Sequence, residues 1–107
     1  MEQVLLVMCN VPDDGAAQHI AQQVLAKKLA ACVNVMPEMR SLYHWQGELQ
    51  VSMEIALLIK TTQARYEELQ TLIQQLHPYE VPEIIAIPVA AGLPAYLQWV
   101  LKETGSE

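Results

Sequence analysis

The feature that most restricts the fold of this chain is a long stretch of alternating apolar and more polar side chains, from Leu49 to Lys60. A period of two residues is typical of a β-strand, in which successive side chains point to opposite faces of the sheet. The stretch is much longer than an ordinary strand of about 5–6 residues. We therefore predict a long central strand that extends beyond the core of the domain.

The first half of the chain has the pattern of a strand, a helix and a strand. The unbroken apolar run Val4–Cys9 predicts a strand buried on both faces. Asp13 is suited to cap the N-terminus of a helix, whose apolar residues then recur at helical spacing. The segment Cys32–Trp45 is β-like, with Pro37 marking an edge or a bulge, and residues 46–48 after it predict a hairpin turn.

The second half adds a helix, a strand and a last helix. Thr61 or Thr62 is expected to cap a second amphipathic helix, which ends at a proline-rich segment. A fourth strand is predicted at about Ile84–Val89, and Pro94 opens a short helix. We expect residues 104–107 to form a frayed tail.

The order of elements predicts an α+β sandwich. It is strand–helix–strand–strand–helix–strand with an added C-terminal helix, and right-handed crossovers convert this order into a ferredoxin-like split βαβ arrangement. The expected sheet order is 4-1-3-2, with both main helices on one face and a long hairpin formed by the second and third strands. With 107 residues, the whole chain, 1–107, is predicted to be a single domain.

The sheet face opposite the two main helices has no helix assigned to it, although it carries apolar side chains such as Ala56 and Leu58. The predicted hairpin is also longer than two helices of this size can cover. Bare apolar sheet and long edges favour pairing with further copies of the chain. We therefore predict an oligomer. The alternative is a monomer in which the last helix covers this surface.

Composition narrows the classes of partner. Six lysine and arginine residues against 12 aspartate and glutamate residues give a formal net charge of −6. Nucleic acid and anionic membranes need a basic face, so neither is an expected partner. No apolar run approaches the roughly 18 residues of a membrane span, and no secretory signal pattern is present. With two cysteines, too few for a disulfide scaffold, the chain is predicted to be a soluble protein of a reducing compartment.

The segment Leu76–Glu83 places a histidine, a tyrosine and two glutamates around two prolines. Pro78 ends the second helix and pushes His77 out of the helical region. We call this segment the proline joint, because it connects the second helix to the fourth strand. In the predicted topology the proline joint lies where the first strand finishes, which brings Cys9 and His77 together. A thiolate and an imidazole suit copper or zinc. The alternative is that Cys9 is only a core residue and His77 only a helix C-terminal residue.

Other residues near this end of the sheet are candidate accessory or cleft residues. They are Glu80, Tyr79, Tyr43, Trp45, Glu54 and Lys60. Tyr43 and Trp45 share one face of a strand near the hairpin tip, where aromatic side chains indicate subunit packing or the wall of a cleft. Glu54 and Lys60 are charged residues of the long strand. The alternative for both is that they are solvated or form ion pairs between subunits.

Several short motifs, in order along the chain, carry a resemblance to a known family. They are Cys9 with Pro12–Asp14; Leu29–Asn34; Ser41–Gly47; Glu54 with Lys60–Thr61; His77–Glu83; and Tyr96–Trp99. With these motifs the chain resembles the CutA divalent-cation-tolerance proteins along nearly its whole length.

The resemblance implies a ferredoxin-like homotrimer with long intertwined hairpins. It also implies a cytoplasmic, non-enzymatic protein linked to tolerance of divalent cations, with copper or another divalent cation as its ligand. Carried over residue by residue, the copper ligands of the family are Cys9 and His77. The family's other ligand histidine falls on Leu76, which cannot ligate a metal, so one of three ligands is missing.

Three other functions are alternatives. A signalling trimer of the nitrogen-regulatory-protein type would bind a small anion or nucleotide through Lys60, Arg40 and Tyr43, but the chain has few basic residues and lacks a glycine-rich loop. An acylphosphatase-like enzyme would need an arginine-bearing anion cradle after the first strand, where residues 10–14 are acidic. The third alternative is an interaction scaffold without a ligand.

Overall fold

The structure of this protein is a computed structural model that describes residues 2–105. The elements are β1 (Val4–Val11), α1 (Asp14–Ala26), β2 (Cys32–Trp45), β3 (Glu48–Thr62), a 3₁₀ turn (Gln63–Arg65), α2 (Tyr66–Leu76), β4 (Ile84–Pro88) and α3 (Pro94–Glu103). The strands form a four-stranded antiparallel sheet in the order β2-β3-β1-β4. The predicted ferredoxin-like α+β fold and its strand order are therefore confirmed.

The main core lies between one face of the sheet and the helices α1 and α2. The register puts Val7 opposite Ile59 and Cys9 opposite Leu57, and all four side chains are fully buried on this face. They belong to one cluster with buried residues of both helices, such as Ile20 of α1. Burial of a large aliphatic side chain of this kind stabilises the fold by about 1.5–3 kcal/mol.

The third helix packs against β1 and β3 and adds a second, smaller buried layer. Its residues Val100 and Leu101 are buried but lie outside the main cluster. Val4 and Ala56 are buried too, and strand alternation points both away from that cluster. The expectation that this face lacks a helix is therefore wrong, because α3 covers a part of it. None of the helices within residues 2–105 has the length and apolar character needed to cross a bilayer.

The hairpin of β2 and β3 extends well beyond the main core, as predicted. The turn Gln46–Gly47 joins the strands with φ angles of 50° and 81°, which match the twist of an antiparallel pair. The register shifts between Val35 and Glu38, and β2 is an edge strand, which agrees with Pro37 marking an edge or a bulge. Large apolar side chains along this hairpin remain exposed: Leu42, Leu49, Val51 and Met53.

The predicted cap of the second helix is wrong. Thr61 and Thr62 belong to β3, and the Thr61 hydroxyl donates a 2.6 Å hydrogen bond to the backbone oxygen of Leu29. The helix α2 begins only at Tyr66, after the 3₁₀ turn, and has no side-chain cap. The threonine hydroxyl is used to tie the end of β3 to the segment after α1.

The predicted frayed tail is wrong at its first residue. Thr104 is fully buried, and its carbonyl oxygen accepts a 2.9 Å hydrogen bond from the Arg65 side chain. This bond connects the C-terminus of α3 with the 3₁₀ turn. Residues 106 and 107 of the predicted tail lie outside the described residues.

Asp13 caps α1 as predicted, because its Oδ1 accepts a 2.8 Å hydrogen bond from the backbone N–H of Ala16. We expect Asp13→Ala to lower the free energy of unfolding by about 1 kcal/mol. Urea denaturation at one fixed protein concentration measures this change. Asp14→Ala is the matched control, since it removes a neighbouring carboxylate but keeps the capping bond. An equal loss in the control would contradict the capping role.

Candidate functional site

An open cleft of about 740 Å³ lies between the hairpin of β2 and β3 and the segment 78–83 that leads from α2 into β4. Its lining includes three carboxylates and three aromatic rings, and none of the described lining residues is a lysine or an arginine. The carboxylates belong to Glu54, Glu80 and Glu83, and the rings to Tyr43, Trp45 and Tyr79. The cleft therefore offers negative charge beside an aromatic wall.

Strand alternation places the cleft and the main core on opposite faces of the sheet. In β1, Asn10 lines the cleft while its neighbour Cys9 belongs to the core. In β3 the same alternation turns Glu54 to the cleft and Ile55 to the core. The hairpin carries Tyr43 and Trp45 to the cleft, where both side chains are part of the lining.

Glu54 is nearly buried in this cleft, with 5% of its surface exposed. Its Oε2 accepts a 2.8 Å hydrogen bond from the hydroxyl of Tyr79. Burial first, and then this hydrogen bond, raise the pKa of the Tyr79 hydroxyl. Tyr79 is therefore a protonated donor at neutral pH. One neutral donor compensates a nearly buried carboxylate only in part.

His77 is buried at the C-terminus of α2, and both of its ring nitrogens are hydrogen-bonded. Its Nδ1 accepts a 3.1 Å hydrogen bond from the backbone N–H of Tyr79, so this nitrogen carries no proton. Its Nε2 therefore carries the proton of the neutral ring and donates to the backbone oxygen of Asn10 at 2.7 Å. The proline joint thus brings His77 to the end of β1, as predicted.

The Cys9 thiol is fully buried in the main core. Its sulfur lies 4.0 Å from the same backbone oxygen of Asn10 that His77 contacts. Burial, with smaller contributions from the charges of Glu83 and Glu54, raises the pKa of this thiol from 9.0 to about 12. At neutral pH Cys9 is therefore a protonated thiol, whereas a metal ligand must be a thiolate.

The predicted pair of Cys9 and His77 thus meets at one carbonyl, but this arrangement does not fit a metal ion. A metal on Nε2 of His77 would move the ring proton to Nδ1, where the N–H of Tyr79 already donates. Leu76, at the place of the missing family histidine, packs against the core. Within residues 2–105, no three His, Cys, Asp or Glu side chains converge as a metal-binding group.

Lys60 lies far from the cleft. It lies six positions after Glu54 along β3, which corresponds to about 20 Å in a strand. The Lys60 ammonium group instead donates to the side-chain oxygen of Asn34. Arg40 is exposed on β2 and does not line the cleft. The structure of one chain therefore does not gather Lys60, Arg40 and Tyr43 around one anion.

Three polar residues of the cleft were not singled out from the sequence: Asn10, Ser41 and Gln50. Asn10 also connects two sides of the site, since its Nδ2 donates a 3.4 Å hydrogen bond to Oε1 of Glu83. The signal that could have found it is the alternation of β1, which turns the residue after Cys9 away from the core. Glu80 and Glu83 themselves are exposed at the rim.

Residues 5–103 match the family model described as CutA1 divalent ion tolerance protein. The sequence is 44% identical over 105 residues to the divalent-cation tolerance protein CutA of Thermus thermophilus, which covers 98% of this chain and 100% of that relative. It is 44% identical over 96 residues to the protein of the same name from Yersinia pestis, which covers 90% of this chain and 81% of the relative.

Solved structures agree with these sequence matches. The fold superimposes on the Cut A1 divalent cation tolerance protein of Thermus thermophilus with a TM-score of 0.93 and 42% identity, covering 95% of this chain and 99% of the other. A structure described as the periplasmic divalent cation tolerance protein CutA of Archaeoglobus fulgidus gives a TM-score of 0.91 and 32% identity, covering 94% of this chain and 98% of the other.

The burial and raised pKa of Cys9 predict an unreactive thiol in the folded protein. In the Cys32→Ser variant, whose remaining thiol is Cys9, we expect slow reaction with a disulfide reagent at about pH 8 and fast reaction after denaturation. The Cys9→Ser variant, which keeps the partly exposed Cys32, is the control. Fast modification of Cys9 in the native protein would show that the thiol is accessible or ionised.

Proposed function

This chain belongs to the CutA1 divalent ion tolerance protein family, and we propose that it acts in tolerance by binding divalent cations directly, as a non-enzymatic homotrimer. The observation that carries the proposal is the acidic cleft. It combines the nearly buried carboxylate of Glu54 with the rim carboxylates of Glu80 and Glu83, and no lysine or arginine is among its described lining residues. A cation bound there would compensate charge that the protein leaves partly uncompensated.

A hydrated divalent cation suits this cleft better than a bare one. A hard cation such as Mg²⁺ usually keeps several waters and is held by one or two carboxylates. Such binding does not need the convergent group of three ligands that residues 2–105 lack. The rim carboxylates of Glu80 and Glu83 are exposed, with Glu83 bonded to Asn10 at 3.4 Å, whereas Glu54 is nearly buried and bonded to Tyr79.

Copper at Cys9 and His77 stays a prediction from the family resemblance. To ligate, His77 would have to give up its bond to Asn10 or to Tyr79, and Cys9 would have to lose its proton inside an apolar core. Both changes require an opening of the joint between α2 and β4. We therefore favour the cleft carboxylates as the cation ligands. The Cys9–His77 pair is the second candidate set of ligands, and the same experiment tests both sets.

Exposed apolar surface supports the homotrimer. Several large side chains on the hairpin, on β4 and on α3 are exposed; examples are Val51 at 58%, Ile85 at 49% and Trp99 at 41%. A small acidic domain with so much exposed apolar surface gains free energy by burying it against further copies. Long hairpins offer edges for this pairing.

A cytoplasmic location is part of the proposal. Both cysteines of the described residues are free thiols, which suits a reducing compartment. A non-enzymatic role agrees with the hydrogen bonding of His77, because neither ring nitrogen is available as a general base in this arrangement.

The trimer predicts a solution mass three times the 12.0 kDa of the chain. Light scattering after size-exclusion chromatography measures it. We expect the double variant Val51→Lys, Met53→Lys to dissociate, because charge on the exposed hairpin opposes apolar pairing. Gln18→Lys, Gln22→Lys on the exposed side of α1 is the control with the same added charge. A monomeric mass for the unmodified protein would overturn the trimer.

Calorimetric titration with magnesium, zinc and copper, on the reduced protein under anaerobic conditions, tests cation binding. We expect saturable binding that the double variant Glu80→Gln, Glu83→Gln weakens by about tenfold or more, since each lost carboxylate removes a ligand and a charge. Glu67→Gln, Glu103→Gln removes two exposed carboxylates outside the cleft and is the control.

The same titration separates the two ligand sets. Loss of binding in Cys9→Ser and His77→Ala, with binding retained in the glutamate double variant and in the controls Cys32→Ser and His19→Ala, would assign the site to the Cys9–His77 pair instead. Absence of saturable binding to the unmodified protein, or binding that no variant changes, would overturn direct cation binding by this chain.

A further inference from the structure

We propose that the cleft also binds organic cations that carry two or more ammonium groups on an apolar chain, such as linear diamines. This ligand class goes beyond inorganic divalent cations, and its binding does not depend on a metal site. The proposal rests on the spacing of the carboxylates, on the aromatic wall beside them and on the burial of Glu54.

The carboxylates of the cleft are dispersed rather than convergent. Glu54 lies on β3, whereas Glu80 and Glu83 lie on the opposite rim, in the segment after α2. Within the described chain these side chains do not form a group that one metal ion could bridge. An extended dication places its charges several bonds apart, so it can reach carboxylates that a single ion cannot contact together.

The aromatic wall favours a cation with a hydrocarbon part. Tyr43 and Trp45 line the cleft, yet 40% and 41% of their surfaces are exposed. Exposed aromatic faces attract ammonium groups and bury methylene groups, and these gains are absent for a hydrated metal ion. The Tyr43 hydroxyl is already engaged with Ser52 at 3.0 Å, which orients the ring in the wall.

Glu54 supplies a nearly buried charge for one end of the ligand. Its carboxylate is 5% exposed and lines the cleft, and the one hydrogen bond described above comes from neutral Tyr79. An ammonium group has three donors and no acceptor, which suits a cleft whose lining adds the polar residues Ser41 and Gln50 to the carboxylates. The second ammonium group would lie at the rim carboxylates.

The volume of the cleft agrees with this ligand class. At about 740 Å³ it is within the range of small-molecule sites, roughly 300–1,000 Å³, and far larger than a bare ion requires. Its open side leaves room for chains of different length. We therefore expect the charge number and the apolar length of the ligand, rather than one exact structure, to determine affinity.

Fluorescence of Trp45 gives a direct test. The Trp99→Phe variant leaves Trp45 as the remaining tryptophan and keeps an aromatic ring beside Tyr96. The assembled protein is titrated with 1,6-diaminohexane in a buffer with chelator and physiological salt. We expect a saturable change in Trp45 emission and a rise in the melting temperature. The neutral probe 1,6-hexanediol should produce neither, and 1-aminohexane should bind more weakly.

Matched variants assign the contacts. We expect Glu80→Gln, Glu83→Gln to weaken calorimetric binding of 1,6-diaminohexane by about tenfold, and Trp45→Leu to weaken it by about threefold or more. The control Glu67→Gln, Glu103→Gln removes two exposed carboxylates outside the cleft. Trp45→Phe, which keeps an aromatic ring in the wall, is the control for Trp45→Leu. Circular dichroism confirms that each variant is folded before titration.

The outcomes distinguish this proposal from the proposed function. Diamine binding with the expected variant effects supports the organic-cation site whether or not zinc or copper binds. Equal binding of the diol, equal effects in cleft and control variants, or no saturable response would overturn it. Zinc or copper binding without diamine binding would leave divalent-cation binding intact and limit the cleft to inorganic ions.

Discussion

The antiparallel pairing of β1 with β3 is the constraint on which the rest of the structure depends. It places Cys9 opposite Leu57 and Asn10 opposite Ala56, so neighbouring residues of β1 serve different faces. One face becomes the core beneath α1 and α2, and the other provides the floor of the cleft. A slip of this register by one residue would exchange the two sets of side chains.

The second organising contact is the hydrogen bond from His77 to the backbone oxygen of Asn10. It anchors the proline joint to the end of β1 and so places Tyr79 within reach of Glu54. The histidine is therefore a positioning residue for the acidic cleft. Its two hydrogen bonds explain why a residue that the family resemblance assigns to copper is used here to hold the segment between α2 and β4.

The cleft also gives a physical reason to distinguish the proposed binding of divalent cations from the ligation of a soft metal by Cys9 and His77. A soft cation needs deprotonated sulfur and a free imidazole nitrogen, and the interior around Cys9 and His77 supplies neither in this arrangement. The dispersed carboxylates and the aromatic rings of the cleft are the reason why we propose hydrated or organic cations as its ligands. The acidic balance of the chain, −6 in formal charge, adds a long-range attraction for all of them.

The sequence by itself determined the elements and their order, because strand and helix periods, the Asp13 cap and the Pro78 break are local properties. It also determined that the joint and the end of β1 meet, since crossover rules leave few topologies. Only the tertiary structure decided which way the side chains point and what they contact. Cys9 turned to the core and Glu54 to the cleft, and Thr61 bonded Leu29 instead of capping a helix. Those outcomes depend on packing between distant segments, which local patterns do not encode.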